Sequence, residues 1–490
     1  MFLGFSLNKK HALLTIIIVS LTLRLVAINQ SLWLDEAIGA IAVKEYSFVQ
    51  IATQFIKADN HTPLYYLLLK LWTNIFGYSE ISLRAPSIIF GVATVYMTYK
   101  ITLVVAKSRF FSLLSTLLLA TSQFHIYYSQ EARMYSMAAF FAILSVYGFI
   151  RTLHDERLMT WLIFSSSITI LLFTDYVPIF IIPAYWLYAA IHIKDRGWWI
   201  KFIVSHFPLG ILGLIWLPTL LTQSENYARI LKIWPAWQKV AGGATIKQAL
   251  LVWMKFVLGR ITYPNKLYYY VLVGLASTPF LISYLKLVFT KRNKYITLII
   301  YWLLVPLIFG YIVSIWFPAF IYFRFLYVIP AFYLLVAWAV DTFTVKPLKK
   351  YLSVLMVGIN MFGWITYVTD DDQQREQWRQ AVAFVEANAE ENEIALFEFP
   401  EPFAPYRWYE SGKVEAVGAT NSVSAGITET KNITKSAVKD KKGVYYFEYL
   451  QDLSDPEGVV TQTLKDEGFT VGEVFNFKGV GQVFYYNKAL

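Results

Sequence analysis

Apolar runs of about 16 to 22 residues recur from the N-terminus to about residue 369, long enough at 1.5 Å per residue to cross a bilayer as helices. The pattern predicts spans at roughly 11–29, 86–105, 110–125, 133–151, 159–174, 177–193, 201–222, 268–289, 295–315, 324–344 and 351–369, about eleven crossings. Between the first two spans, Ile38, Ile41, Phe48, Ala52 and Phe55 keep a helical spacing too polar to cross. The first external loop, residues 30–85, therefore reads as a chain of interfacial helices. From Asp370 the pattern changes. One helix-like stretch, QQREQWRQAVAFVEANA, is followed by strand-like EIALFEF and VYYFEYL, then by EVFNF and GQVFYYN flanking a Gly-containing turn, a hairpin signature. Asp370, Asp371 and Asp372 read as first-turn acids opening the helix. The predicted architecture is a polytopic all-α membrane domain, residues 1–369, followed by a small soluble α/β domain, residues 370–490.

Composition strengthens this reading. A chain that is 57% hydrophobic, 18% aromatic and 16% charged has too little polar surface to fold as a water-soluble globule. The net charge of +10 does not indicate nucleic acid, because the cations are scattered between apolar segments and no nucleic-acid-binding module is visible. They set topology instead. With the N-terminus inside, Lys9/Lys10, Lys107/Arg109, Arg151/Arg157, Lys194/Arg196, Lys291/Arg292/Lys294 and Lys346/Lys349/Lys350 all fall on the cytoplasmic side, and the C-terminal domain emerges outside the cell membrane. The first span lacks a small-residue cleavage site and reads as retained. The segment 223–267 breaks the rule, being external yet rich in Lys and Arg interleaved with Trp234, Trp237 and Trp253; it reads either as two further spans or as an interfacial segment on anionic lipid. The chain has no cysteine, which excludes disulfides, thiolate metal sites and cysteine nucleophiles.

Three charged clusters fall on the external side of this threading. Asp35 and Glu36 follow the first span in SLWLDEAIGA; Gln130, Glu131, Arg133 and Tyr135 lie in HIYYSQEARMYS; Arg324 opens a late span in FPAFIYFRFLYVIP. His61 precedes Pro63, which can start a helix. Ionisable groups at a membrane edge must offset their desolvation with a partner or a substrate. Each residue alone has a structural alternative, an interhelical ion pair or a side chain reaching the headgroups, and Arg24 reads as the latter. Asp175, in the short turn TDYVP, reads as a turn residue.

The succession LWLDEA, NHTPLYYLLLKLW, RAPSIIFG, YYSQEARMYS and FRFLYVIPAF resembles the GT-C superfamily of polytopic glycosyltransferases, in particular the family 39-like protein-mannosyltransferase and aminoarabinose-transferase-like enzymes, over most of residues 10–345. The resemblance implies transfer of a single sugar from a polyprenyl-phosphate donor to a lipid, protein or glycan acceptor at the external face, with inversion. It places the catalytic acid of the first external loop at Asp35, as general base. The residue chemistry agrees with that. A carboxylate is needed to take the acceptor's proton, and cations to hold the departing phosphate. Glu36 is expected to orient acceptor or sugar hydroxyls, and Glu131 to line the same pocket. His61, Arg133 and Arg324 are expected at the phosphate, supported by Gln130 and Tyr135. Where some relatives have lysine beside an acid, this chain has His61 beside Asn60. Asp35, Glu36 and Glu131 could supply oxygen ligands to a divalent cation, but nothing in their spacing demands one, so no cofactor is required. The alternative from another class is a transporter or flippase that binds a lipid-linked sugar without chemistry; transporters, however, usually gather polar residues near the midplane of broken helices.

Overall fold

The computed structural model describes residues 9–155, 157–233, 237–423 and 426–488, and resolves into two compact units. The first comprises the N-terminal segment to Ile28, Phe48–Gln223 and Ala241–Gln373; the second comprises Asn29–Ser47, Ser224–Val240 and Gln374–Leu490.

The described helices are mostly apolar. Seven are long and apolar enough to cross a membrane: Glu80–Val105, Tyr135–Thr152, Arg196–Ile233, Lys266–Val288, Lys294–Val313, Tyr322–Asp341 and Lys346–Thr369. The pair Arg109–Thr121 and Gln123–Ser129, bent by 57°, makes an eighth if it is one span. The eleven predicted runs are not all of this length: Lys9–Leu25 and Leu158–Thr174 have 17 residues each, and Ile181–His192 has 12. Short polar residues start the helices where the loops are tight. Ser79, Ser108, Thr245, Asn265 and Asn293 each accept a bond from a backbone N–H in the first turn, and Ser122 does the same at the bend.

In the first unit, the structure overturns one sequence expectation and narrows another. Arg24 does not reach for headgroups. It is fully buried, donating to Ser20 O at 2.9 Å, Ser20 Oγ at 2.8 Å, Ala120 O at 3.1 Å and Ser129 Oγ at 3.2 Å, so its charge is solvated by protein. In the misfit segment, the helix Ile246–Leu258 has 13 residues, about 20 Å, and is too short to cross. Its Lys255 is buried and donates to Arg260 O, Ile261 O and Tyr269 Oη, while Trp253 donates to Ser277 Oγ at 3.0 Å. Trp234 lies outside the described residues.

In the second unit, five strands form one sheet in the order β2-β1-β3-β5-β4: β1 (Glu393–Phe397), β2 (Glu415–Gly418), β3 (Gly443–Phe447), β4 (Phe469–Phe477) and β5 (Gly481–Lys488). β1 pairs in parallel with β2 and β3; β4 and β5 form the predicted antiparallel hairpin, with Gly479 and Gly481 at positive φ in the turn. β1 and β3 are buried throughout because both sheet faces are covered. One face packs on Trp378, Val382 and Val385 of the helix Trp378–Asn388, the other on Val460 and Leu464 of Val459–Asp466. The acids 370–372 do not open the first helix of this domain. Asp370 caps the C-terminus of Lys346–Thr369 and receives the N–H of Asp372 at 2.9 Å.

Candidate active site

The residues singled out from the sequence divide between the units: His61, Gln130, Glu131, Arg133, Tyr135 and Arg324 belong to the first, Asp35 and Glu36 to the second.

In the first unit, the loop between the helix Ile56–Ala58 and the helix Leu64–Phe76 carries His61 and an acid the sequence reading passed over. Asp59 Oδ1 lies 3.0 Å from His61 Nδ1. The Arg133 guanidinium closes on the same ring, 3.4 Å from Nδ1 and 3.3 Å from Nε2, and donates to Tyr66 Oη at 2.7 Å. Burial by itself would raise the Asp59 carboxyl. The charges of His61 and Arg133 and the hydrogen bonds from His61 and Tyr66 outweigh it and hold the group below the ordinary carboxylate range. Arg133 is placed by a tight turn, its N–H bonded to Glu131 O at 2.7 Å, and by Ser87 Oγ, which donates to Arg133 O at 3.1 Å and meets Tyr65 Oη at 3.0 Å.

Asp175 is more than a turn residue. Its carboxyl is buried at the end of Leu158–Thr174, and burial raises it above its ordinary value although His61 and Arg324 act to lower it. Two acids, a histidine and two arginines, drawn from four widely separated stretches, thus share one electrostatic neighbourhood. Arg324 itself is half-buried and donates to Ala319 O at 3.4 Å.

A single amide fastens the loop. Gln223 Nε2 donates to Ile56 O at 2.7 Å, Asp59 O at 2.8 Å and His61 O at 3.0 Å; its Oε1 accepts from Tyr176 Oη at 2.5 Å, and Tyr176 Oη accepts from Trp216 Nε1 at 2.7 Å.

Glu131 is buried, within electrostatic reach of Tyr128 and Arg260. Arg260, half-buried, follows Gly259, whose φ of +89° turns the chain out of its helix. Its guanidinium lies 4.3 Å over the Tyr127 ring and bonds Tyr127 Oη at 2.5 Å, while its backbone N–H bonds Gln123 Oε1 at 2.6 Å. Gln130 Nε2 donates to Arg24 O and Val26 O at 2.9 and 2.6 Å, closing the end of the first helix. Tyr135 packs edge-on to Tyr128 and Phe323, each 5.4 Å between ring centroids. The first unit also holds an apolar cavity of about 530 Å³ lined by residues that include Trp253, Phe256, Tyr284, Leu303, Tyr311 and Phe332.

In the second unit, Asp35 and Glu36 occupy the first turn of the helix Leu34–Glu45, where the helix dipole favours acids. Asp35 is half-buried and within electrostatic reach of Tyr449. Glu36 is fully buried, its Oε2 3.9 Å from Arg375 Nη1. Among the described residues, no group of three or more His, Cys, Asp or Glu side chains is arranged to hold a metal ion.

Residues 60–221 match the family model of the dolichyl-phosphate-mannose-protein mannosyltransferases. No curated protein sequence matches the chain at a significant level. Among solved structures, the chain shares its fold with ArnT from Cupriavidus metallidurans, both in the apo state (TM-score 0.56, 10% identity, covering 98% of this chain and 97% of that one) and bound to undecaprenyl phosphate (TM-score 0.58, 11% identity, the same coverage). It is also similar to the archaeal oligosaccharyltransferase AglB from Archaeoglobus fulgidus in complex with an inhibitory peptide and a dolichol-phosphate, at TM-score 0.50 and 12% identity, over 97% of this chain and 74% of that one.

Proposed function

From the resemblance to the GT-C membrane glycosyltransferases, common to the motif order, the family model and the fold, we propose that this multi-pass membrane protein transfers one sugar from a polyprenyl-phosphate donor to an acceptor hydroxyl or amine at the external membrane face. Asp35 takes the proton of the acceptor as the new bond forms at the anomeric carbon. The bond from that carbon to the phosphate oxygen breaks, and its electron pair leaves on the polyprenyl phosphate with inversion. A base in this role contributes about a hundred- to ten-thousand-fold in rate.

The observation that carries this reading is the convergence of His61, Arg133 and Arg324 from three distant segments, with the carboxyls of Asp59 and Asp175 among them. Such a group suits an anion whose charge grows during the reaction. Arg260, its guanidinium stacked on Tyr127, is a further cation for the same phosphate. Glu131 lines the sugar pocket, while Glu36, expected from the sequence to orient hydroxyls, is fully buried beside Arg375 and supports the turn that carries Asp35; Gln130 and Tyr135 support the second-loop turn. The apolar cavity suits an isoprenoid chain, in keeping with the undecaprenyl phosphate and dolichol-phosphate of the similar structures. The threading that goes with this reading has about eleven crossings, a cytoplasmic N-terminus and an external C-terminal domain.

The test is release of polyprenyl phosphate from a panel of radiolabelled polyprenyl-phosphate sugars by purified protein with a crude acceptor. Asp35→Asn should abolish release while the protein stays folded. Equal release by the two proteins sinks the assignment of the base, and headgroup movement across proteoliposomes without any acceptor would favour a transporter.

A further inference from the structure

The helix that carries Asp35 and Glu36 comes from the N-terminal part of the sequence, yet its contacts within the second unit are with residues from the far end of the chain. Leu34 packs against the core formed by Trp378, Phe397 and Phe447. The approach to the helix is held by backbone. Arg375 N–H bonds Gln30 Oε1 at 2.9 Å, Ser31 Oγ donates to Glu376 O, and Leu32 N–H bonds Tyr409 Oη at 2.8 Å. At the other end, Lys44 Nζ lies 5.2 Å over the Trp408 ring. The 375–377 segment is itself fixed. Glu376 accepts from Trp378 Nε1 at 2.7 Å and from Tyr449 Oη at 3.1 Å, and Gln377 exchanges two hydrogen bonds with Lys478 of the β4–β5 turn.

Inside this frame Glu36 is a fully buried carboxylate, and Arg375, equally buried, is the cation 3.9 Å from it. Breaking a buried ion pair is strongly destabilising, so the pair ties the first turn of the helix to Arg375. Asp35, one residue earlier and half-buried, is carried by that turn.

We propose that the C-terminal domain is a structural member of the catalytic apparatus, and that Arg375 is the positioning residue that sets the Asp35 turn through Glu36. This rests on the reading of Asp35 as the base.

The test uses the full chain, compared as wild type, Arg375→Met, Arg375→Lys, Glu36→Gln and the double variant Glu36→Gln/Arg375→Met. Arg375→Met should lower kcat about fifty-fold with the donor KM within about twofold, and Arg375→Lys should recover part of the loss. The double variant, in which both members of the pair have lost their charge, should exceed Arg375→Met by about tenfold in kcat. A second readout needs no activity. The chain has no cysteine, so Ala40→Cys places one thiol at a buried position of the Asp35 helix and Ala395→Cys one in the core strand β1. Arg375→Met should speed maleimide labelling of the first about tenfold and leave the second slow. Unchanged kcat and unchanged labelling overturn the proposal, as does equal acceleration at both positions, which would mean general unfolding. Faster labelling at Ala40→Cys alone, in a protein whose wild type releases no polyprenyl phosphate from any sugar donor, refutes the reading of the reaction and leaves the Arg375–Glu36 anchor standing.

Discussion

His61 Nδ1 lies 3.0 Å from Asp59 Oδ1, with the Arg133 guanidinium against the same imidazole ring. An acid at this position fixes which way the ring faces and offsets the guanidinium charge beside it. Asp59→Asn should therefore lower kcat/KM about ten- to a hundred-fold, mainly through a higher donor KM. It should also cost stability with a defined pH dependence. The folded carboxyl is held below its unfolded value of about 3.9, so its contribution is fully present above that value and is lost as pH falls through the folded one. The gap in thermal midpoint between wild type and Asp59→Asn should be widest near neutrality and close under acid, as differential scanning fluorimetry in detergent would show.

Gln223 reaches the same loop from the helix Phe207–Ile233, its two N–H groups shared among the carbonyls of Ile56, Asp59 and His61. Leucine there leaves those buried carbonyls without their donor, at a cost of roughly 2–4 kcal/mol. Gln223→Glu, which puts a carboxylate against three carbonyl oxygens, should be worse, and only Gln223→Asn should keep measurable turnover. Equal thermal midpoints and equal KM for Gln223→Leu and wild type would remove the residue from the site.

These two residues mark the boundary of what the sequence discloses. His61, Arg133 and Arg324 are legible because a charge at the end of an apolar run is anomalous by itself. Asp59, in the polar stretch KADNH, has no such contrast, and Gln223 is an uncharged residue at the tail of a span. Arg260 was hidden for another reason: it lies in the one segment whose cations break the positive-inside pattern, so its side of the membrane could not be assigned. Four of the five strands are legible as short apolar stretches and the hairpin from alternation with glycines between its arms, whereas β2, only four residues long, is not. The parallel pairing of β1 with β2 and β3, and the approach of Arg375 to Glu36, are contacts between distant positions that periodicity does not encode.

The apolar cavity gives a prediction about donor length. Ala249 lines it and is itself exposed, so Ala249→Trp should fold normally while narrowing the space shared with Trp253, Leu303 and Tyr311. The KM for a long polyprenyl-phosphate donor should rise about tenfold, and that for a donor of two isoprene units should hardly change, since only the longer chain loses buried apolar area. Parallel titrations of the two donors provide the check; an equal effect on both would place the isoprenoid elsewhere.

Glu398 tests the C-terminal domain independently of any substrate. It follows β1 on the face that carries Ile394 and Leu396, is fully buried, and neither carboxyl oxygen has a hydrogen-bond partner among the described residues. Burial first, then the charges of Asp455 and Glu448, push its carboxyl up to about 9. The folded domain therefore keeps a proton that the unfolded chain releases above about 4.5, so stability is unaffected below that value and falls as pH rises toward 9. At pH 7 the penalty is roughly 3 kcal/mol. Glutamine has nearly the same shape and no charge to lose. Glu398→Gln should match wild type near pH 4 and be progressively more stable from pH 6 to about 9, read as the unfolding midpoint of the domain at each pH. A gap that is constant with pH, or one that widens under acid, would mean that Glu398 is ionised in the folded protein and that its charge is met by a cation.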